Sequence, residues 1–214
     1  MRFKVLLNSI YFMSEQLEDI KIIREMMEKS SKFLSLSGLS GVIAGLTATV
    51  GAAFMYFYLL CDPSLTDFNR TQEIMILLVD ALIILTISIA CGVFFSWRKA
   101  KKNNQKLWNR AGLNILYNLA VPLVAGGLFS LVFLLRGNLE VVISSTLVFY
   151  GVALLNASKY TYNEIHYLGI TEIIIGILAA IFTHNGILFW TLGFGICHIF
   201  YGLIMYIKYD RRKV

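Results

Sequence analysis

"IMILLVDALIILTISIACGVFFSW", residues 74–97, holds one charged side chain, Asp80, in 24 positions. As a helix rising 1.5 Å per residue it covers about 36 Å, enough for the roughly 30 Å of a bilayer's hydrocarbon. Five more apolar runs flank it. With it they give six predicted spans: Phe33–Leu60, Ile74–Trp97, Ala111–Leu135, Leu139–Asn156, Tyr167–Phe182 and Gly186–Ile207. The fifth is short and could begin near Ile165, while the first is long enough to tilt or project. The expected fold is all-α, a polytopic transmembrane bundle of six spans.

Composition agrees with this reading. The chain is 57% hydrophobic and 15% charged, with mean hydropathy +0.70, whereas soluble domains carry about a quarter charged residues. So large an apolar excess cannot all be buried in one small globule, so lipid must solvate part of it. Cys61, Cys91 and Cys197 are far apart and form neither a CxxC pair nor an even disulfide set. No metal site or cofactor is expected.

The breaks between runs carry turn chemistry. "CDPSLTDFNR" is rich in Asp, Pro, Ser and Asn, and "RGN" and "THNG" are tight polar turns. "KYTYNEIHY" has the aromatic and polar character of headgroup level. Of 19 Lys and Arg residues, seventeen fall before the first span, in the second and fourth loops or in the tail. The other side has only Arg70 and Arg136. The positive-inside rule then places both termini in the cytoplasm. The same asymmetry explains the net charge of +6. The basic loops set topology and meet anionic headgroups, and they give no reason to invoke nucleic acid.

Residues 1–32 are read as a cytoplasmic segment, 33–207 as the transmembrane domain and 208–214 as a basic tail. "MRFKVLLNSIYF" has too short an apolar stretch for a cleavable signal and no small-residue cleavage site. Met13 is the expected start. "SEQLEDIKIIREMMEKSSKF" is predicted helical. Ser14 serves as N-cap, with Glu15, Glu18 and Asp19 near the first turn. Glu25–Lys29 and Glu28–Lys32 are favourable i,i+4 pairs. Leu17, Ile20, Ile23 and Met27 form an apolar stripe that suits the membrane interface, or a soluble cytoplasmic partner docking at residues 14–30.

Two acids fall inside the spans, and each costs about 2.5–3.5 kcal/mol at a span centre. Asp80 lies six residues after Ile74 and could pair with Arg70 or Arg136. Glu172 lies five residues after Tyr167, a similar depth from the opposite end. Other polar groups gather in the cytoplasmic half: Ser37 and Ser40, Asn114 and Asn118, Asn156, His198 and Tyr201. With Glu172 they suggest a polar cavity open to the cytoplasm. Asn114 and Asn118, one turn apart, are read first as interhelical glue and only second as ligands. His198 is read first as a satisfied core histidine. Glu172 is the preferred functional residue, because an intramembrane acid marks a site by default. "GGLF", residues 126–129, follows Pro122 and is expected to kink or unwind the third span. No GxSxG, HExxH, paired-carboxylate spacing or phosphate loop appears.

Small residues form a seam in the first span: Gly38, Gly41 and Gly45, continued by Ala44, Ala48 and Ala52. "GLSGVIAGLTA" (38–48) is echoed by "GITEIIIGILA" (169–179), with Gly169 and Gly176 in register with Gly38 and Gly45. Both echo segments follow an SK-aromatic unit, "SKF" and "SKY". The third span's "GLNILYNL" adds a fainter copy, as in small transporters built from repeats. Gly41-x-x-x-Gly45 also fits a dimerisation motif. The echo leads to the expectation that helices one and five pack together beside Glu172, with the serines bonding it. The oligomeric state is left open.

The runs "IREMMEKSSKFLSLSGLSG", "NASKYTYNEIHYLGITEII" and "FWTLGFGICHIFYGLIMYIKY" cover much of the chain. They resemble a group of small bacterial six-span membrane proteins without an assigned activity. The resemblance implies the bacterial inner membrane and supplies no substrate. Three functions are therefore weighed. The leading one is a non-catalytic sensor, regulator or assembly protein. The second is a small-solute or proton-coupled transporter using Glu172, Asn114, Asn118 and His198. A membrane-embedded enzyme ranks last, for want of a reactive constellation.

Overall fold

A computed structural model describes residues 33–60, 70–103 and 108–211, with Met13, Gln16 and Ile20. Most of the expected N-terminal amphipathic helix, the 61–69 loop, residues 104–107 and the end of the tail lie outside the described residues, and nothing in the structure bears on Met13 as the start. Five helices run α1 Gly38–Leu60, α2 Arg70–Lys102, α3 Arg110–Leu135, α4 Leu139–Ser158 and α5 Asn163–Ile181. A composite sixth span covers Thr183–Asp210. It joins a 3₁₀ turn, α6 Gly186–Trp190, a π-helical segment Thr191–Cys197, α7 His198–Met205 and a second π-helical segment Tyr206–Asp210. All six are long and apolar enough to cross a membrane. The protein is a multi-pass membrane protein with an all-helical bundle.

Tight connections make sequential helices antiparallel. α3 ends at Gly137, which takes the left-handed conformation at φ 76°. The Gly137 amide donates to Leu134 O and the Asn138 amide to Phe133 O, both at 2.9 Å, which closes the helix with a paired-carbonyl cap. At its other end the Asn109 side chain accepts from the Gly112 amide at 2.7 Å.

The helices form a packed series. α2 lies on α1, α1 on the sixth span, the sixth span on α5 and α4, α5 on α4, and α4 on α3. α2 is outermost, and most of its apolar side chains stay exposed, as suits a helix solvated by lipid.

The glycine seam therefore has a different partner from the one expected. A Cβ on Gly45 would sit 2.6 Å from Gly195 O, and one on Gly41 would sit 3.2 Å from Gly202 Cα. Gly169 instead meets Gly151 and Leu155 of α4, and Gly176 meets Leu147 and Val148. Helices one and five do not form the glycine-lined pair. Each uses glycine for close backbone approach, but the matching small residues are on the sixth span and on α4. Spacing shows which face of a helix is small and not which neighbour it meets.

The third span does not unwind. α3 runs unbroken through Pro122. Gly126 is small because the Phe149 ring lies against it. The irregular backbone is in the sixth span, where Gly193 and Gly195 lie in the first π-helical segment.

The chain ends of several spans meet at one end of the bundle, called here the basic end. Residues 33–37 have no regular secondary structure and dock on the α4–α5 connection. The Phe33 amide donates to Tyr160 O at 2.7 Å, and Thr161 Oγ1 donates to Phe33 O at 3.0 Å. The Tyr162 hydroxyl donates to Leu34 O, and Lys99 Nζ to Leu36 O at 2.7 Å. Burial, then the nearby Asp210 carboxylate, raises the Tyr162 pKa, so this hydroxyl keeps its proton and remains a donor. Asp210 reaches the start of α1 from the far end of the chain. Its Oδ2 accepts from the Gly38 amide at 3.0 Å and the Ser37 hydroxyl at 3.2 Å, while Oδ1 pairs with Lys99 Nζ at 2.6 Å. A side chain 172 residues away thus does the work of an N-cap.

This geometry predicts a crosslink. Cysteines from Ser37→Cys and Asp210→Cys should join on mild oxidation and shift mobility on a non-reducing gel. The pair Gly41→Cys and Gly169→Cys should stay unjoined. The reverse pattern would return α1 to α5.

Candidate functional site

α5 begins at Asn163, four residues before the expected Tyr167, because Tyr162 is extended and Glu164 sits in the first turn. Glu172 is then nine residues in, about 14 Å from the helix start at 1.5 Å per residue, in the middle of the span. It is not near an interface. It is fully buried, at 0% exposure.

Three elements build its surroundings. Leu147 of α4, also 0% exposed, lies beside it. Gly193 in the sixth span has no side chain, and a Cβ there would fall 2.5 Å from Glu172 Oε2 and 2.6 Å from Leu147 Cδ2. A side chain at this position would require the ends of the Glu172 and Leu147 side chains to shift. The third element is His198, whose Nδ1 is 3.4 Å from Glu172 Oε1.

His198 has a defined tautomer. Nδ1 is 3.0 Å from Gly193 O, which can only accept, so Nδ1 carries hydrogen. Nε2 is 2.8 Å from the Tyr150 hydroxyl on α4. In the neutral ring Nε2 accepts from Tyr150. The ring is held by aromatic neighbours, Phe194 stacked at 6.0 Å between centroids and Tyr150 at 5.3 Å. The wider turn of the π-helical segment brings Gly193 O under the imidazole, and such segments recur at functional sites.

The Nδ1 hydrogen is committed to Gly193. Both Glu172 oxygens are therefore buried without a hydrogen-bond donor among the described residues. A buried carboxyl in that position is satisfied by a proton, a cation or a solute that brings its own N–H or O–H. Among the described residues no three His, Cys, Asp or Glu side chains converge as ligands for a metal ion.

Of the expected site residues, the structure brings Glu172 and His198 together. Tyr201 is one turn beyond His198, with its hydroxyl buried and unpartnered among the described residues. Asn114 is exposed on α3, and Asn118 Nδ2 donates back to Asn114 O at 2.8 Å. Neither joins the Glu172 group, and Asn118 is satisfied by its own helix. Asn156 is half-buried on α4. Ser37 bonds Asp210, and Ser40 bonds Ser37 O at 2.6 Å, so the serines belong to the basic-end cluster and not to Glu172. Asp80 lies against Gly51 of α1, on a separate helix pair.

Tyr150, Gly193 and the π-helical segment were not singled out from the sequence. A tyrosine within the fourth span and the glycine pair just before His198 were the available signals.

No family model, curated protein or solved structure matches the chain.

Proposed function

We propose that this is an inner-membrane transporter of a small solute, coupled to protonation of the Glu172–His198 pair, with both termini and the basic end in the cytoplasm. The observation that carries the reading is Glu172: a mid-span carboxyl with no donor among the described residues, 3.4 Å from an imidazole and beside Gly193. Intramembrane acids beside histidine are the groups that relay protons in pumps and transporters. Orientation follows from the Lys and Arg asymmetry.

The test is proton movement in pyranine-loaded proteoliposomes challenged with panels of amino acids, sugars and inorganic cations. Wild type should move protons with at least one class, and Glu172→Gln should abolish this while remaining monodisperse. A Glu172→Gln variant that moves protons normally would overturn the reading.

A regulatory reading draws on a different feature, the apolar stripe Leu17, Ile20, Ile23 and Met27. It expects a soluble partner that co-purifies with the full chain and is lost on deleting residues 14–30. The basic loops are assigned to anionic headgroups in either case.

A further inference from the structure

We infer that residues 33–37 are a strap that closes the basic end over the Glu172–His198 pair, and that Lys99 is the latch that holds it shut. The inference rests on the proposed function of that pair and adds the part that controls access to it.

The first observation is where the strap runs. It leaves α1 at Gly38 and crosses to α3 and α4, where Phe33, 4% exposed, packs with Ala111, Ile115 and Ala157. Between these ends Leu36 packs on the buried cluster of Leu154, Ile165 and Leu168. Tyr150 and Tyr201 pack on the same cluster. Leu168 is one turn from Glu172 on α5, about 6 Å toward the basic end. Tyr150 is one turn from Leu154 on α4 and meets His198 Nε2 at 2.8 Å. The strap and the cluster beneath it therefore stand between the basic end and the buried pair.

The second observation is how the strap is held. Its carbonyls are caught by side chains: Phe33 O by Thr161 Oγ1, Leu34 O by the Tyr162 hydroxyl and Leu36 O by Lys99 Nζ. Ser37 is tied to the Asp210 carboxylate. Releasing these contacts breaks no turn of any helix, so the strap can open while the bundle stays folded.

The third observation is Lys99. Its Nζ donates to Leu36 O at 2.7 Å and to the Tyr162 hydroxyl oxygen at 3.4 Å, and it pairs with Asp210 Oδ1 at 2.6 Å. One ammonium thus joins α2, the strap, the residue before α5 and the end of the sixth span. Without it, Leu36 O and Asp210 lose the cation they share.

The fourth observation is what stays fixed. A Cβ on Gly38 would collide with Tyr206 N and Gly202 O, both backbone atoms of the sixth span. α1 is therefore seated from its first residue, and motion at this end falls to the strap. Glu172 is 0% exposed, so a solute reaches it only after something moves.

The experiment measures how fast a membrane-impermeant maleimide labels Leu168→Cys in the full chain, held in nanodiscs. The background carries Cys61→Ala, Cys91→Ala and Cys197→Ala. With the strap intact, labelling should be slow. Lys99→Met should speed it at least about tenfold, the scale of one lost hydrogen bond to a charged group. Leu36→Ala, which thins the strap and keeps the latch, should speed it too. Lys101→Met should leave the rate unchanged, because that ammonium lies over the Trp97 ring. Ala179→Cys reports general loosening: it is 1% exposed, seven residues beyond Glu172 on the far side, and should stay protected in every variant. Unchanged labelling of Leu168→Cys in both strap variants would overturn the strap as the cover of the site. Labelling of Ala179→Cys in step with Leu168→Cys would overturn it as well. The labelling needs neither solute nor proton movement. Faster labelling of Leu168→Cys alone, in a protein that moves no protons, would therefore keep the strap and overturn the transport reading.

Discussion

Gly45→Leu should push α1 off the sixth span and destabilise the bundle. A first carbon at that position would lie 2.6 Å from Gly195 O and 2.8 Å from Ile199 N. Both are backbone atoms of a packed helix, so no rotamer change relieves the contact. Overpacking a close-packed site costs about 1–3 kcal/mol and sometimes more. Here the whole helix must move, which puts the cost at the upper end. Fluorescence-detected size exclusion after a temperature series should show early loss of the monodisperse peak. Gly92→Leu is the matched control, since nothing lies within 4 Å of a Cβ at Gly92. It should behave as wild type. Equal stability of the two variants would remove the α1–sixth-span seam from the fold.

Glu172→Met should have the opposite effect on stability. Methionine has nearly the volume of glutamate and no polar atoms, and Leu147 beside it is apolar. Replacing a buried polar group without a partner by an apolar one of similar shape recovers its desolvation cost, about 1–3 kcal/mol. The variant should therefore melt at higher temperature than wild type while losing proton-coupled activity. A gain in stability with a loss of activity marks a residue retained for function. If Glu172→Met instead melts lower, the carboxyl has a satisfying partner, and the reading of it as an open site fails.

Much of the fold was legible because a bilayer imposes simple demands. Apolar runs of the right length gave six spans, and the turn residues at Gly137 and Thr183–Asn185 stand where the helices break. Glu172 and His198 were legible as polar residues in expensive places. Their proximity was not, since Glu172 is on α5 and His198 on the sixth span. Depth was misjudged because the polar residues Asn163 and Glu164 read as loop although they open α5. The asparagines of α3 looked like members of the site because they share the cytoplasmic half of the bilayer with Glu172. In the structure Asn118 simply bonds its own helix. The glycine echo was a true signal of close packing read with the wrong partners.

The cap that Asp210 supplies to α1 has a consequence for biogenesis. The first span is made long before the residue that completes it. At a synthesis rate of roughly 5–20 residues per second, the 172 residues between Gly38 and Asp210 take about ten to thirty seconds. Throughout that interval α1 has neither its terminal cap nor the helix that fills its glycine seam. Closure of the bundle then comes as a single late event, when the end of the sixth span arrives beside the beginning of the first.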